Sequence, residues 1–80
     1  MVGSGQMVRP GKELGHRLRT LRVASGLTQF DLAAQCGLHR MSINRYERGH
    51  YIPPLRVVEQ LSATLGVSAS WLVYGVEPMA

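Results

Sequence analysis

The chain predicts an all-α domain of five short helices, and three observations carry that expectation. First, an apolar residue, a capping residue and a second apolar residue beyond it recur as Leu27/Thr28/Leu32, Leu38/His39/Ile43 and Val67/Ser68/Leu72. This is the arrangement in which the residue before a helix cap staples onto the first turn. Second, Gly26, Gly37, Gly49, Gly66 and Gly75 stand where those helices must stop, the place for a left-handed C-cap. Third, apolar residues recur at helical rather than alternating spacing, and no stretch reads as a convincing strand.

Eighty residues make one small domain. A core of that size supplies only about 3–5 kcal/mol, so a second copy of the chain would help to stabilise it. Nine Lys+Arg against five Asp+Glu favour a polyanionic partner, and eight of the nine are arginine, which suits bidentate contacts to phosphates and guanine edges. Cys36 is the only cysteine, which rules out an internal disulfide and a Cys-based metal site. No apolar run is long enough to cross a bilayer and no signal peptide is visible. A cytoplasmic protein of bacterial or phage origin, without membrane or cofactor, is expected. Three scattered histidines and five scattered acids show no nucleophile–base or phosphate-loop spacing, so an enzyme is not expected.

Residues 1–11 read as a flexible arm, 12–75 as the folded domain and 76–80 as a short tail. Met7 offers a second start, so Met1 to Gln6 are either an expression remnant or an alternative beginning. Arg9, Pro10, Gly11 and Lys12 form a basic, non-helical lead-in, a solvated arm or one that reaches DNA phosphate or the minor groove. The first helix is expected from about Lys12 to Ser25, with Leu14, Leu18 and Leu21 on its inner stripe at i, i+4 and i+7. Arg17 and Arg19 fall away from the stripe, on solvated faces; Arg22 lies beside it and needs a partner. His16 is expected to be exposed and idle.

The second helix, Gln29 to Cys36, buries Leu32 and Ala33, and Asp31 sits where a carboxylate completes a cap and favours the positive helix end. Asp is shorter than the usual Glu or Gln, so this capping box is expected to be imperfect. Phe30 is either core or surface. Cys36 reads as a small buried apolar residue. The third helix, Arg40 to Glu47 or Arg48, turns Ile43 and Tyr46 inward, leaving Arg40, Met41, Asn44 and Arg45 on the opposite face. Pro53 and Pro54 suit the start of a fourth helix, which runs to Leu65 with Leu55, Val58, Leu61 and Leu65 inward and Arg56, Glu59 and Gln60 outward. A fifth closes at Tyr74.

Two helices as short as the second and third, with almost no connection, meet steeply as in a helix-turn-helix. The outward face of the third is both basic and hydrogen-bond-forked, which points to DNA recognition rather than to a merely solvated surface.

The segments LRTLRVASGLTQFDLAAQCGL, MSINRYERG, a Pro-Pro helix start, LGVS and WLVYG, in this order and spacing, resemble the lambda-repressor-like, Cro-type helix-turn-helix proteins, also called the XRE family. The resemblance covers roughly Leu14 to Gly75. It implies a five-helix bundle that binds double-stranded operator DNA as a homodimer on a palindrome, with the third helix in the major groove. Arg40, Met41, Asn44 and Arg45 match positions that read bases or adjoining phosphates. Gln29 matches a glutamine that holds a phosphate and helps orient a base reader, and Thr28, His39, Arg48 and Tyr51 are further phosphate candidates. Arg22 and Glu47 match a pair in which a first-helix arginine ties down the end of the third.

Three departures stand out. His39 occupies a cap position usually held by Ser or Thr; a charged imidazole there opposes the helix dipole yet favours a nearby phosphate, which predicts tighter DNA binding at mildly acid pH. Pro54 removes an amide from the start of the fourth helix. Met41, apolar where relatives are polar, either meets a thymine methyl or fills space. Asn44 either reads adenine or holds phosphate.

A subunit contact is expected from Trp71, Val73 and Tyr74, which crowd one short helix; Trp71 alternatively covers the core of its own chain. Besides a transcriptional repressor, the length suits an antitoxin that binds a toxin as well as DNA, or a restriction–modification controller.

Overall fold

The computed structural model describes residues 10–77. In chain order these form α1 (Pro10–Ala24), α2 (Gln29–Cys36), α3 (Arg40–Glu47), α4 (Leu55–Leu65) and α5 (Ala69–Tyr74), with no strand among the described residues. The expected arm up to Arg9 and the end of the expected tail, residues 78–80, lie outside the described residues.

Sequence and structure differ first at the start of α1. Pro10, Gly11 and Lys12 are helical rather than a lead-in. Proline has no N–H to leave unsatisfied in a first turn, and its fixed φ is already helical. Gly11 is buried at this point, because α1 passes close over the chain after α3: a β-carbon on Gly11 would sit 3.3 Å from the Gly49 carbonyl oxygen and from Ile52.

The helix ends follow from local chemistry. The Thr28 hydroxyl accepts from the Asp31 amide at 3.0 Å while the Asp31 carboxylate accepts from the Thr28 amide at 2.9 Å. The capping box is therefore complete, not imperfect: at this site the shorter side chain of Asp reaches the cap amide. Gly37, in the left-handed region, closes α2, and the Leu38 amide bonds back to Ala33. Ser68 caps α5 through the Trp71 amide at 3.0 Å. His39 occupies the cap of α3 with extended backbone but makes no side-chain bond there.

One core gathers residues from every helix: Leu14 and Leu18 of α1, Leu32, Ala33 and Cys36 of α2, Ile43 of α3, Val57, Val58 and Leu61 of α4, and Leu72 of α5. Full burial of one such large aliphatic side chain contributes about 1.5–3 kcal/mol. α1 packs on α3 and α5, α2 on α3 and α4, and α4 on α5. The expected inward set of α4 needs one exchange. Leu55 is 70% exposed, and Val57, which the sequence reading passed over, is buried. The buried face of α4 centres between Val58 and Leu61, and at about 100° per residue Leu55 points roughly 90° away from it.

α1 and α3 approach without intervening side chains. A β-carbon at Gly15 would fall 2.6 Å from the Glu47 carbonyl oxygen and closer still to that of Tyr46. Gly49, with φ +76, is held from the other side, since a β-carbon there would meet the Lys12 α-carbon at 2.7 Å. The end of α3 is thus seated backbone on backbone against the first turns of α1.

Candidate nucleic-acid interface

α3 is eight residues long, too short to hold its own orientation, and the neighbouring elements fix it. Ile43, fully buried, pins the middle of its inner face. Its last turn is fixed by charge. Arg22 of α1 donates from Nε to Glu47 Oε2 at 2.6 Å and from Nη2 to Oε1 at 3.1 Å, and its Nη1 donates to the Leu27 carbonyl at 2.8 Å. The two side chains are only 11% and 2% exposed. Arg22 therefore joins three points in space: its own helix, the turn before α2, and the end of α3.

The same carboxylate carries a further bond. Gln29, the first residue of α2, donates from Nε2 to Glu47 Oε1 at 3.1 Å. Its own Oε1 accepts from Asn44 Nδ2 at 3.4 Å. A continuous chain of hydrogen bonds thus runs from the Arg22 guanidinium to the half-buried Asn44 amide on α3.

Around Asn44 the outward side of α3 and its C-cap is positive. Arg40, Met41, Arg45 and Arg48 are exposed, and Arg40 Nη2 lies 3.6 Å from Met41 Sδ. Glu47 is the only acid of α3, and its charge is drawn inward to Arg22. Thr28, His39 and Tyr51 are exposed at the rim. Arg45 and Tyr51 line one cleft of about 280 Å³, together with Ser42, Tyr46, Ile52 and Pro54. Asp31 is the carboxylate at the start of α2. Hydrogen bonds from the Thr28 amide and then from the Thr28 side chain hold it below the usual carboxylate range.

The residues named for base and phosphate contact thus lie on α3, at the α2 N-terminus and in the loop after α3, joined by the turn that Gly37 makes. Of the residues expected at a subunit contact, Tyr74 is 76% exposed, Trp71 is half-buried, and Val73 packs against the core.

Arg17 corrects the sequence reading. It is half-buried, not on a solvated face, and donates from Nε to the Leu72 carbonyl at 2.8 Å and from Nη2 to that of Val73. It supplies the cation that the last turn of α5 lacks among its own residues. That deficit is the one sequence signal that pointed to it. The bond between Gln29 and Glu47 had no such signal, because it depends on how α2 and α3 cross. His16 is exposed, as expected, and Phe30 is a surface residue at 60% exposure.

Comparison with known proteins agrees with this geometry. A family model described as a helix-turn-helix domain matches residues 13–72. A hypothetical transcription factor from Neisseria meningitidis is 38% identical over 60 residues, 75% of this chain and 57% of the relative. The restriction–modification controller protein C.AhdI from Aeromonas hydrophila superposes with a TM-score of 0.74 at 35% identity, covering 78% of this chain and 94% of that one. The P22 c2 repressor, in complex with a synthetic operator, superposes with a TM-score of 0.76 at 27% identity, covering 79% and 96%. The chain spans a little over half the length of the first curated relatives it matches, 57% and 56%. By name these relatives are a transcription factor, a transcriptional regulator and a repressor. Among the described residues no helix is long and apolar enough to cross a membrane.

Proposed function

The chain belongs to the helix-turn-helix domain family, among regulators of the lambda-repressor-like, Cro-type (XRE) kind, and from that premise we propose that it is a sequence-specific DNA-binding repressor acting as a homodimer on a palindromic operator. α3 enters the major groove, with Arg40, Met41, Asn44 and Arg45 toward the bases. Thr28, Gln29, His39, Arg48 and Tyr51 take phosphates on either side and set the register. The folded unit is residues 10–75, in the cytoplasm.

One observation carries this reading: the only acid of α3 is withdrawn to Arg22, so the outward side presents guanidinium and amide groups without a competing carboxylate. Such a face attracts phosphates first and reads base edges second. Symmetric half-site binding needs a subunit contact, and the exposed Tyr74 beside the half-buried Trp71 on α5 offers aromatic surface for it. A role as a restriction–modification controller is a second reading, favoured by the match to 94% of the controller from Aeromonas hydrophila.

The test is selection of bound duplexes from a random pool at two salt concentrations, with sedimentation of the protein alone and on the selected duplex. A palindromic consensus, affinity falling steeply with salt, and two chains per duplex are expected. Recovery of duplexes without consensus would reduce the protein to a non-specific binder, and one chain per duplex would remove the dimer.

A further inference from the structure

We infer that Glu47 sets the base preference of Asn44, acting through Gln29 as a positioning residue; this rests on the DNA-reading role proposed above. The inference comes from the direction of the hydrogen bonds. A carboxylate paired with a guanidinium only accepts. Facing Glu47 Oε1, the Gln29 amide must therefore present its NH₂ end, as it does at 3.1 Å. That choice turns the Gln29 carbonyl to the other side, where it accepts from Asn44 Nδ2 at 3.4 Å. Rotating either amide by half a turn would set oxygen against oxygen or N–H against N–H. The negative charge at one end thus fixes the orientation of both amides, and Arg22 holds that charge in place through two bonds.

The consequence lies at Asn44. With one Nδ2 hydrogen spent on Gln29, the side chain offers Oδ1 and its second N–H side by side. That pair complements the major-groove edge of adenine, which donates from N6 and accepts at N7; guanine offers two acceptors there and leaves Oδ1 unmatched. Because the orientation is set before binding, it is not an ordering cost of the complex. The Arg22–Glu47 pair is accordingly part of the reading apparatus as well as a tie between helices.

The inference is tested with three variants and two readouts. Asn44→Ala locates the base position that Asn44 reads in the selected consensus. Gln29→Met keeps the ion pair but breaks the relay. Arg22→Met with Glu47→Met removes both charges and leaves Gln29. In the wild type an adenine preference of about tenfold is expected at that position; it should fall to about twofold or less in both relay variants, with preferences elsewhere in the consensus retained. In the DNA-free protein, the side-chain amide resonances of Gln29 and Asn44 should move in the double variant while those of exposed Gln35 and Gln60 stay put. An unchanged adenine preference in Gln29→Met overturns the inference whether or not the double variant folds, as does immobility of the Asn44 amide resonances in a folded double variant. A wild type that selects no consensus overturns the DNA-reading role itself; a consensus indifferent to both relay variants overturns the relay alone.

Discussion

Arg22 and Glu47 meet edge to edge across the base of the helix-turn-helix, two guanidinium nitrogens against two carboxylate oxygens at 2.6 and 3.1 Å. The pair is largely withdrawn from solvent, so screening is weak and each charge depends on the other. Removing one partner leaves a buried charge alone, which costs about 3–5 kcal/mol, whereas replacing both by apolar groups of similar volume is often neutral. Glu47→Ala and Arg22→Ala are expected to lower the urea-unfolding free energy by amounts in that range, and the double methionine variant by much less. Equal losses in single and double variants would show that packing, not charge, sets the cost.

Gly15 gives the second expectation. Alanine is the better helix former by about 1 kcal/mol, so in an open helix Gly15→Ala would stabilise. Here the new methyl group meets the backbone carbonyls of Tyr46 and Glu47, which cannot yield without moving α3. Overpacking costs about 1–3 kcal/mol and outweighs the propensity gain. Thermal melts should show Gly15→Ala destabilised and Gly11→Ala, where the contact is a milder 3.3 Å, less so. A stabilised Gly15→Ala would mean that α1 and α3 stand further apart.

Most of the fold was legible because its signals are local. Thr28, Ser68 and the glycines specify helix ends through their own backbone and side-chain chemistry, and the observed ends fall within two residues of the expected ones, the largest difference being at the start of α1. What escaped was whatever depends on how helices cross. Arg17 looked solvated on its own helix and is partnered only because α5 brings its carbonyls there. Leu55 looked inward because Val58 lies three residues on, but the buried face of α4 is turned toward Val57. Of the candidate interface, the outward set on α3 followed from periodicity; the bonds linking Asn44 to Gln29 and Gln29 to Glu47 required the angle between α2 and α3.

The Asp31 capping box implies a defined pH response. Its carboxyl is held below the ordinary range in the folded chain by bonds from Thr28. A group depressed on folding contributes stability that is fully present above its unfolded value of about 3.9 and is lost as pH falls through the lower folded value. The side chain is exposed, so the effect is small. Melting temperature followed from about pH 6 to about pH 2 should fall less in Asp31→Asn than in the wild type. Parallel profiles would show that other carboxylates carry the acid response.

Arg45 and Arg48 separate the two kinds of DNA contact. Arg45 belongs to the outward face of α3, and its replacement by alanine is expected to cost about 1–3 kcal/mol on the preferred duplex and to relax selection at one base pair. Arg48 stands past the last turn, as the C-cap of α3, and is assigned to phosphate in the proposed complex. Arg48→Ala should weaken all duplexes alike and reduce the slope of log affinity against log salt by about one. The reverse pattern in a binding series would exchange their roles.

His39 completes the set. Its backbone already has the extended cap geometry, φ −82 and ψ 146, yet its side chain makes no cap bond. The Ser42 amide bonds instead to the His39 carbonyl at 3.0 Å. A serine at this position would offer its hydroxyl to that amide as Thr28 does for Asp31. Because the amide is not wholly unpartnered now, the gain belongs at the low end of the capping range, about 0.5–1 kcal/mol. His39→Ser should therefore melt higher than the wild type, while losing the imidazole that faces phosphate in the proposed complex. Operator affinity measured at one salt concentration should then be weaker for His39→Ser than for the wild type. Equal affinities would remove His39 from the phosphate contacts and leave it as an uncompensated cap.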